Sequence, residues 1–315
     1  MCGWWVSHGR GEGENFSLTF SSVKDDSREG IDNWRLAKML TTTALLALSL
    51  ATLGRATPLG PLHQRQNPCT RAILRANVAD YISAQASGDP SSVIALAAGN
   101  TTYTEDFYRR NLTTGVLSTP LIISHNRSLL DTTQCATYTE LISAPANVSS
   151  SLHRVIGTQM RFDATGTTLL RIDSLVTQPG DWAFNASGTL RYAAREDGLW
   201  TEIAQADQDK RETIQAAGDA YLDLFNNASV VVPWGTPCHR LEGGFYTGNG
   251  SATDSCNVGV PSGVVIKDRR YVIDEVLGSV DCFVTFGSRP DSHEFRVEVS
   301  FVSVSFPPFF PYLIQ

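Results

Sequence analysis

Three side chains in the second half of the sequence are of types that transfer protons. Glu242 lies in the string CHRLEGG, Asp274 ends the string RYVID, and His293 lies in DSHEFRVE. Burial in an apolar cavity raises the pKa of a carboxyl group, so that it can act as a general acid or base near neutral pH. The sequence therefore predicts catalytic roles for Glu242, Asp274 and His293.

Each of these residues also has a structural interpretation, which is the commoner outcome for such residues. Glu242 can form an ion pair with Arg240, which is two residues away in the sequence. Asp274 has a counterpart in Asp131, which ends the similar string RSLLD, and a repeated carboxylate most simply serves a repeated turn. Strand alternation places His293 on the same face as apolar neighbours, where a hydrogen-bonded core histidine is expected.

Three aromatic residues are candidates for ligand binding, because an exposed ring can stack on a ligand. They are Trp182, Trp234 and Tyr246. A tryptophan next to Pro or Gly in a loop more often closes the end of a core. The sequence has no nucleophile elbow, dinucleotide-binding loop, Walker loop, HExxH or CxxC motif, so it predicts neither a metal site nor a cofactor.

Composition and charge narrow the class of protein. The chain has 315 residues, a formal net charge of -7 and 42% hydrophobic residues. It contains no dense run of Lys and Arg, so a nucleic-acid partner is not expected. The apolar run ALLALSLATL, residues 44–53, is too short to span a bilayer. These features predict a globular protein without a membrane span, and they leave the oligomeric state open.

The apolar run has the features of a secretory signal peptide. Lys38 precedes it, and small residues follow it at the positions expected for cleavage after Ala56. We expect residues 39–56 to be the signal peptide and residues 57–66 a short linker. Residues 1–38 are then expected to be a leader ahead of the true start at Met39. The predicted localisation is extracellular.

Acceptor motifs for N-glycosylation and the cysteines agree with secretion. The Asn-x-Ser/Thr motifs begin at Asn100, Asn111, Asn126, Asn147, Asn185, Asn227 and Asn249. In an oxidising compartment cysteines pair by default. We expect disulfides between Cys238 and Cys256 and between Cys69 and Cys135, with Cys282 left unpaired in a buried strand.

The order of predicted elements repeats along the chain. Helical spacing of apolar residues predicts helices over residues 70–85 and 211–226. Strand-like runs follow each helix, which predicts an α+β fold with two units, residues 67–200 and 201–298. Each unit is expected to be a long helix on a curved, mainly antiparallel sheet. The second unit has one strand fewer, and residues 299–315 are expected to be translated intron sequence.

Several strings resemble a family of fungal secreted proteins that is catalogued as a domain of unknown function. They are CTRAILRANVADYISAQ, YTED, TQCATYTELI, GDWAFN, AYLDLFN, VPWGTPCHRLEGG, RRYVIDE and PDSHEFRVE, within residues 67–298. Each half also resembles the α+β cone of SnoaL and ketosteroid isomerase. The resemblance implies a fold with a pocket at the open end of each cone, and a secreted location. It implies no activity.

Two functions of different classes remain open. The first is binding of a small molecule in a cone pocket, with cofactor-independent isomerisation, cyclisation or dehydration as the associated chemistry. The second is a non-catalytic role at the cell wall or in contact with a host. Whether the cones are open or filled separates the two hypotheses.

Overall fold

The computed structural model describes residues 4–7, 68–181, 183–257, 260, 262–287 and 289–296, with the backbone alone for 4–7 and 289–296. The fold is mixed α+β. Its helices are α1 (Arg71–Ser87), α2 (Ser91–Leu96), α3 (Ala186–Glu196) and α4 (Arg211–Leu224). Its strands are β1 (Trp4–Ser7), β2 (Ala97–Glu105), β3 (Tyr108–Arg109), β4 (His125–Asp131), β5 (Ala136–Ser143), β6 (Arg154–Phe162), β7 (Leu169–Thr177), β8 (Leu241–Glu242), β9 (Phe245–Tyr246), β10 (Ile266–Asp274), β11 (Ser279–Phe286) and β12 (Arg289–Arg296).

The first long helix, α1, begins and ends at residues suited to those positions. The Thr70 hydroxyl accepts a hydrogen bond from the backbone N–H of Ile73 at 3.2 Å, which caps the helix start. Gly88 follows the last turn with φ 70°, a left-handed conformation that glycine adopts readily. The apolar side of α1 is buried in the main core together with residues of β5 and β6. The helix thereby fills the inner face of the first sheet.

The first sheet has the strand order β3-β2-β7-β6-β5-β4. Only the β2–β7 pair is parallel; the other pairs are antiparallel. Strand β5 is buried at all of its residues, because both faces of the sheet are covered. Leu141 faces the core with α1, whereas Tyr138 on the opposite face packs against the second half of the chain.

The second sheet combines β10, β11 and β12 as an antiparallel meander, with β1, β8 and β9 beyond β12. Helix α4 packs on it through Ile214 and Tyr221, and Phe225, directly after the helix, joins the same core. Strand β1, which lies within the predicted leader, pairs with β12 antiparallel and with β8 parallel. The predicted signal peptide, the linker and the tail from residue 297 onward lie outside the described residues.

The two sheets meet through a cluster of buried apolar side chains. Leu129, Tyr138 and Leu175 of the first sheet contact Val272 and Phe283 of the second. The rings of Tyr138 and Phe283 meet edge to face, with centroids 6.2 Å apart. Residues 68–296 consequently belong to one compact unit.

Both expected disulfides are present. Cys69 bonds Cys135, and Cys238 bonds Cys256. Cys282 is free and buried, as expected for a strand residue that faces the core. Among the described helices, none is both long and apolar enough to cross a membrane.

Candidate functional site

Glu242 lies on the hairpin formed by β8 and β9, which we call the stapled hairpin because the Cys238–Cys256 disulfide closes the loop around it. Its carboxylate forms an ion pair with the Arg240 guanidinium at 2.8 Å, as the structural interpretation predicts. Arg240 is almost fully buried and Glu242 is partly buried. Desolvation raises the pKa of Glu242, and the nearby Arg240 charge offsets part of this rise.

Replacing Arg240 by Met is expected to raise the pKa of Glu242 further, because the opposing charge is lost while the burial remains. A raised carboxyl pKa favours the protonated folded state, so this group's contribution to stability is fully present below the ordinary glutamate pKa. It is lost as the pH rises through the raised value. NMR titration of the side-chain carboxyl carbon measures this pKa. A lower value in R240M would contradict the assignment of Arg240 as its counter-ion.

Tyr246 lies on the same hairpin, but both faces of its ring are covered. The Tyr192 ring of α3 stacks on one face with a centroid distance of 4.4 Å, and the His239 ring stacks at 5.4 Å. His239 in turn contacts the Asp254 carboxylate at 3.0 Å. This column of rings fixes the stapled hairpin on α3, and a ligand could stack on Tyr246 only if a neighbouring ring moved.

Asp274 is fully buried at the end of β10 and is held by contacts to both halves of the chain. The Arg71 guanidinium of α1 donates to it at 2.6 Å. The backbone N–H of Leu130 donates at 2.9 Å, and the N–H groups of Val276 and Leu277 donate from the following turn. These contacts of Asp274 all stabilise the fold, and its ion-pair partner is Arg71.

Asp131, at the end of β4, accepts the equivalent hydrogen bonds, with the two halves of the chain exchanged. Arg211 of α4 donates to both of its oxygens at 2.8 and 2.7 Å. The backbone N–H of Ile273 donates at 3.0 Å, and the next turn donates through Thr133 and Gln134. Each helix therefore anchors its first residue on the sheet of the other half.

The other predicted site residues are dispersed. Trp234 packs edge to face on Tyr221 at a centroid distance of 5.4 Å and closes the core of the second half. Trp182 lies outside the described residues. His293 is opposite Cys282 in the β11–β12 register, and its side chain lies outside the described part. Of the predicted site residues whose side chains the structure describes, only Glu242 and Tyr246 lie on one element, the stapled hairpin.

An open groove of about 490 Å³ lies between the two sheets, at residues that sequence reasoning did not select. We call it the arginine groove. Strand β7 provides Arg171, and the turn between β2 and β3 provides Phe107. Strand β10 contributes Asp268, Arg269 and Arg270, and β11 contributes Thr285.

Two of the arginines share one buried carboxylate. Arg171 contacts Asp173 at 2.6 Å, and Arg270 contacts the same carboxylate at 2.9 Å. Asp173 carries one negative charge and the two guanidinium groups carry two positive charges, so this trio has a net positive charge. The Asp268 carboxylate also lines the groove. Burial lowers the pKa of Arg270, and the nearby Asp173 charge offsets part of this change. Arg269 differs, because Asp219 and Asp223 both pair with it.

Three residues with positive φ lie at the groove. Asp106 and Phe107 form a two-residue hairpin loop in which φ is 51° and 65°. Such loops favour Asn-Gly or Asp-Gly, and a bulky residue with positive φ is rare. Asp268 also has a positive φ of 54°, at the irregularity in β10. Strain of this kind often marks functional sites.

The strain places the Phe107 ring against the Arg270 guanidinium, whose central carbon lies 4.2 Å from the ring centroid. The Asp106 carboxylate fixes this loop by accepting from the backbone N–H of Val176 at 2.9 Å. The one feature of the sequence that could have indicated this groove is Phe107, an aromatic residue where a two-residue hairpin loop usually has glycine.

Within the described residues no group of three or more His, Cys, Asp or Glu side chains is arranged to hold a metal ion.

The comparisons with known proteins identify a domain in the second half. Residues 207–302 match a domain of unknown function (DUF8021). This match confirms the predicted resemblance to a domain of unknown function over that part of the chain, which includes the stapled hairpin and β10. No curated protein is significantly similar to this chain.

Two solved structures are distantly similar. BvnE pinacolase from Penicillium brevicompactum is 11% identical, with 41% of this chain and 93% of that chain covered and a TM-score of 0.27. PrhC from Penicillium brasilianum NBRC 6234 is 14% identical, with 40% and 91% covered and a TM-score of 0.23. Likeness at this level carries no information about the activity of this chain.

Proposed function

We propose that this protein is a secreted glycoprotein that binds a small anionic molecule in the arginine groove. The observation that carries the proposal is the trio of Arg171, Arg270 and Asp173, whose net positive charge faces an open groove of about 490 Å³. A volume of this size matches those of small-molecule sites, which range from about 300 to 1,000 Å³.

The chemistry of the groove defines the class of ligand. Guanidinium groups donate hydrogen bonds to carboxylate, phosphate or sulfate oxygens. Phe107 adds an apolar edge and Thr285 a hydroxyl group, which suit an anion with a short apolar body bound on the side of Arg171 and Arg270, away from the Asp268 carboxylate. Acid–base chemistry at Glu242, Asp274 or His293 is a separate proposal that concerns another site, because the arginine groove is lined by other residues. Glu242 is the best supported of these because of its raised pKa.

Secretion is supported by the positions of the glycosylation motifs. All seven acceptor asparagines are exposed, whereas Asn77, which is not in a motif, is 5% exposed. At Asn111, Asn227 and Asn249 the side-chain oxygen accepts a backbone N–H from two residues further on. This turn leaves the amide nitrogen, to which a glycan is attached, directed away from the backbone.

We further propose that the two halves are tandem copies of one α+β unit. The support is the reciprocity of the contacts of Asp131 and Asp274. Each ends a strand, accepts from the following turn, and pairs with the first residue of the helix in the other half. A duplication produces such a pattern directly, because the same sequence position is used twice.

The second candidate function is non-catalytic attachment to a cell wall or a host protein. Phe245 of the stapled hairpin favours it, because Phe245 is 68% exposed and lies in the same disulfide-closed loop as the exposed acceptor Asn249. Large exposed aromatic residues are common in recognition surfaces. A pull-down on wall polysaccharide that fails equally for wild type and F245A would remove attachment to the cell wall from this candidate.

The binding proposal is tested with the secreted protein and two charge-removing variants, R171M and R270M. Native mass spectrometry of the wild type detects a co-purified anion, and thermal-shift assays with phosphate, sulfate, citrate and benzoate detect added ones. We expect at least one anion to stabilise the wild type. Each variant should weaken its binding about tenfold or more, the effect of losing one charged hydrogen bond.

R75M is the matched control, because Arg75 is 67% exposed and its only described ion pair is with Glu202 on the surface. It should bind the anion as the wild type does. An anion that stabilises R171M and R270M as much as the wild type, or no stabilisation by any anion and no co-purified one, would refute the groove as the binding site.

A further inference from the structure

A second cavity, of about 260 Å³, lies at the start of α3 and has no described wall residue in common with the arginine groove. Its walls come from the turn before the helix, from the first residues of α3 and from the segment ahead of β6. They include Pro179, Gly180, Phe184, Asn185, Ser150 and His153. Asn185, one of the seven predicted glycosylation acceptors, is therefore part of the cavity wall. We call this cavity the Asn185 pocket.

The side chain of Asn185 is held in one orientation. Its amide oxygen accepts from the backbone N–H of Gly188 at 2.9 Å and thereby caps α3. Within the part of the chain that the structure describes, its amide nitrogen makes no hydrogen bond. Gly188 keeps the space beside this nitrogen open, because a Cβ at that position would lie 2.7 Å from it. A sugar attached to this nitrogen is therefore oriented by the helix cap and starts at the pocket.

His153 forms a polar wall of the pocket. It is 6% exposed, and its Nε2 lies 3.3 Å from the carbonyl oxygen of Pro145, which can only accept. Nε2 therefore carries the proton, and the Nδ1 of the neutral ring is an acceptor. Among the described residues no donor contacts Nδ1. Because buried polar groups are normally hydrogen-bonded, His153 indicates that the pocket takes a molecule with a hydrogen-bond donor.

We propose that the Asn185 pocket holds the first N-acetylglucosamine of a glycan attached to Asn185. This inference rests on the proposed secretion, which brings the chain to the glycosylating enzyme. When the N-glycosyl bond forms, the Asn185 amide loses one proton, and the lipid diphosphate that carried the sugar is the leaving group.

N-acetylglucosamine matches the walls of the pocket. Its acetamido N–H or a hydroxyl group can donate to Nδ1 of His153, and the Ser150 hydroxyl can bond another sugar oxygen. Phe184, which packs against a buried core cluster, provides a fixed apolar face for the sugar ring. The volume of about 260 Å³ lies just below the range of drug-sized sites, about 300 to 1,000 Å³, and suits one sugar unit.

The attachment point favours a linked sugar over a free ligand. A sugar bonded to a wall residue has a high effective concentration at the pocket, because its association is intramolecular. A free molecule would have to displace it.

The test compares two acceptor motifs with the same sequence, Asn-Ala-Ser, at Asn185 and Asn227. S187A removes the first motif but keeps Asn185 and its cap, since the Ser187 side chain is exposed and makes no described hydrogen bond. S229A removes the second, whose asparagine is not a described wall residue of either cavity. We expect S187A to lower the thermal unfolding midpoint of the secreted full-length protein by about 2 °C or more, and S229A to leave it unchanged.

An endoglycosidase that cuts between the first two sugars isolates the contribution of the first one. Wild type trimmed in this way should keep the midpoint of the intact glycoprotein, and NMR should show nuclear Overhauser effects between the remaining sugar and the Phe184 ring. The proposal is wrong if S187A unfolds at the same temperature as S229A, if trimming lowers the midpoint as much as S187A does, or if these effects are absent. The NMR measurement decides even when S187A is not secreted.

Glycopeptide mass spectrometry separates failure of this inference from failure of the proposed secretion. If Asn185 carries no glycan while other acceptors do, the inference alone is wrong. If no acceptor carries a glycan, the proposed secretion is wrong together with it.

Discussion

Replacing Asp274 by Ala is expected to destabilise the folded protein by about 3 to 5 kcal/mol, the usual effect of removing one partner of a buried ion pair. Arg71 would lose the carboxylate that it contacts at 2.6 Å. The buried backbone N–H groups of Leu130 and Leu277 would also lose their acceptor. Urea denaturation followed by circular dichroism measures the change in unfolding free energy.

The control is E275A, which removes the adjacent, half-buried carboxylate and should change the stability by less than about 1 kcal/mol. D131A should match D274A, because Arg211 and the N–H of Ile273 depend on Asp131 in the same way. If D274A keeps wild-type stability and instead loses turnover of a bound molecule, Asp274 is catalytic and our structural assignment is wrong.

The long elements could be predicted because their patterns are local. The apolar spacing of α1 and α4 predicted helices over residues 70–85 and 211–226, and the structure has them at Arg71–Ser87 and Arg211–Leu224. Helix α3 was missed. Gly188 weakens helix propensity, and Asn185, which caps α3 by accepting the N–H of Gly188 at 2.9 Å, was interpreted only as a glycosylation site.

The candidate site could not be predicted in the same way, because its residues meet only through the packing of the sheets. Arg270 is close to Asp274 in the sequence, yet it pairs with Asp173 of β7. The sequence does not reveal the pair of Arg270 and Asp173, because the pair depends on how β10 lies against β7. The partner of Asp274, Arg71, is 203 residues away. Glu242 and Arg240 were paired correctly because their contact is local.

The reciprocal contacts imply that neither half is stable without the other. Each half anchors its helix on the sheet of its partner, and the apolar cluster between the sheets joins them further. A buried interface of this kind makes unfolding cooperative, because opening one half removes contacts from both. The arginine groove lies along this same boundary, so its shape depends on both halves being folded.

Phe283 provides the sharpest test of this coupling. Its side chain is fully buried between the sheets and meets the Tyr138 ring edge to face. We expect F283A to destabilise the protein by about 3 to 5 kcal/mol, as large-to-small core substitutions do. The matched control is F245A, since Phe245 is 68% exposed and its loss should change the stability by less than about 0.5 kcal/mol.

The number of urea-unfolding transitions in F283A tests the coupling of the two halves as directly as the midpoint does. If the halves are coupled, F283A unfolds in a single transition at lower urea concentration, with the same slope as the wild type. The transition should coincide for probes in either half, such as Trp200 and Trp234. If F283A instead shows two separated transitions, the halves are independent domains. The arginine groove would then lie between bodies that can move apart, and Arg171 and Arg270 would not form a preorganised anion site.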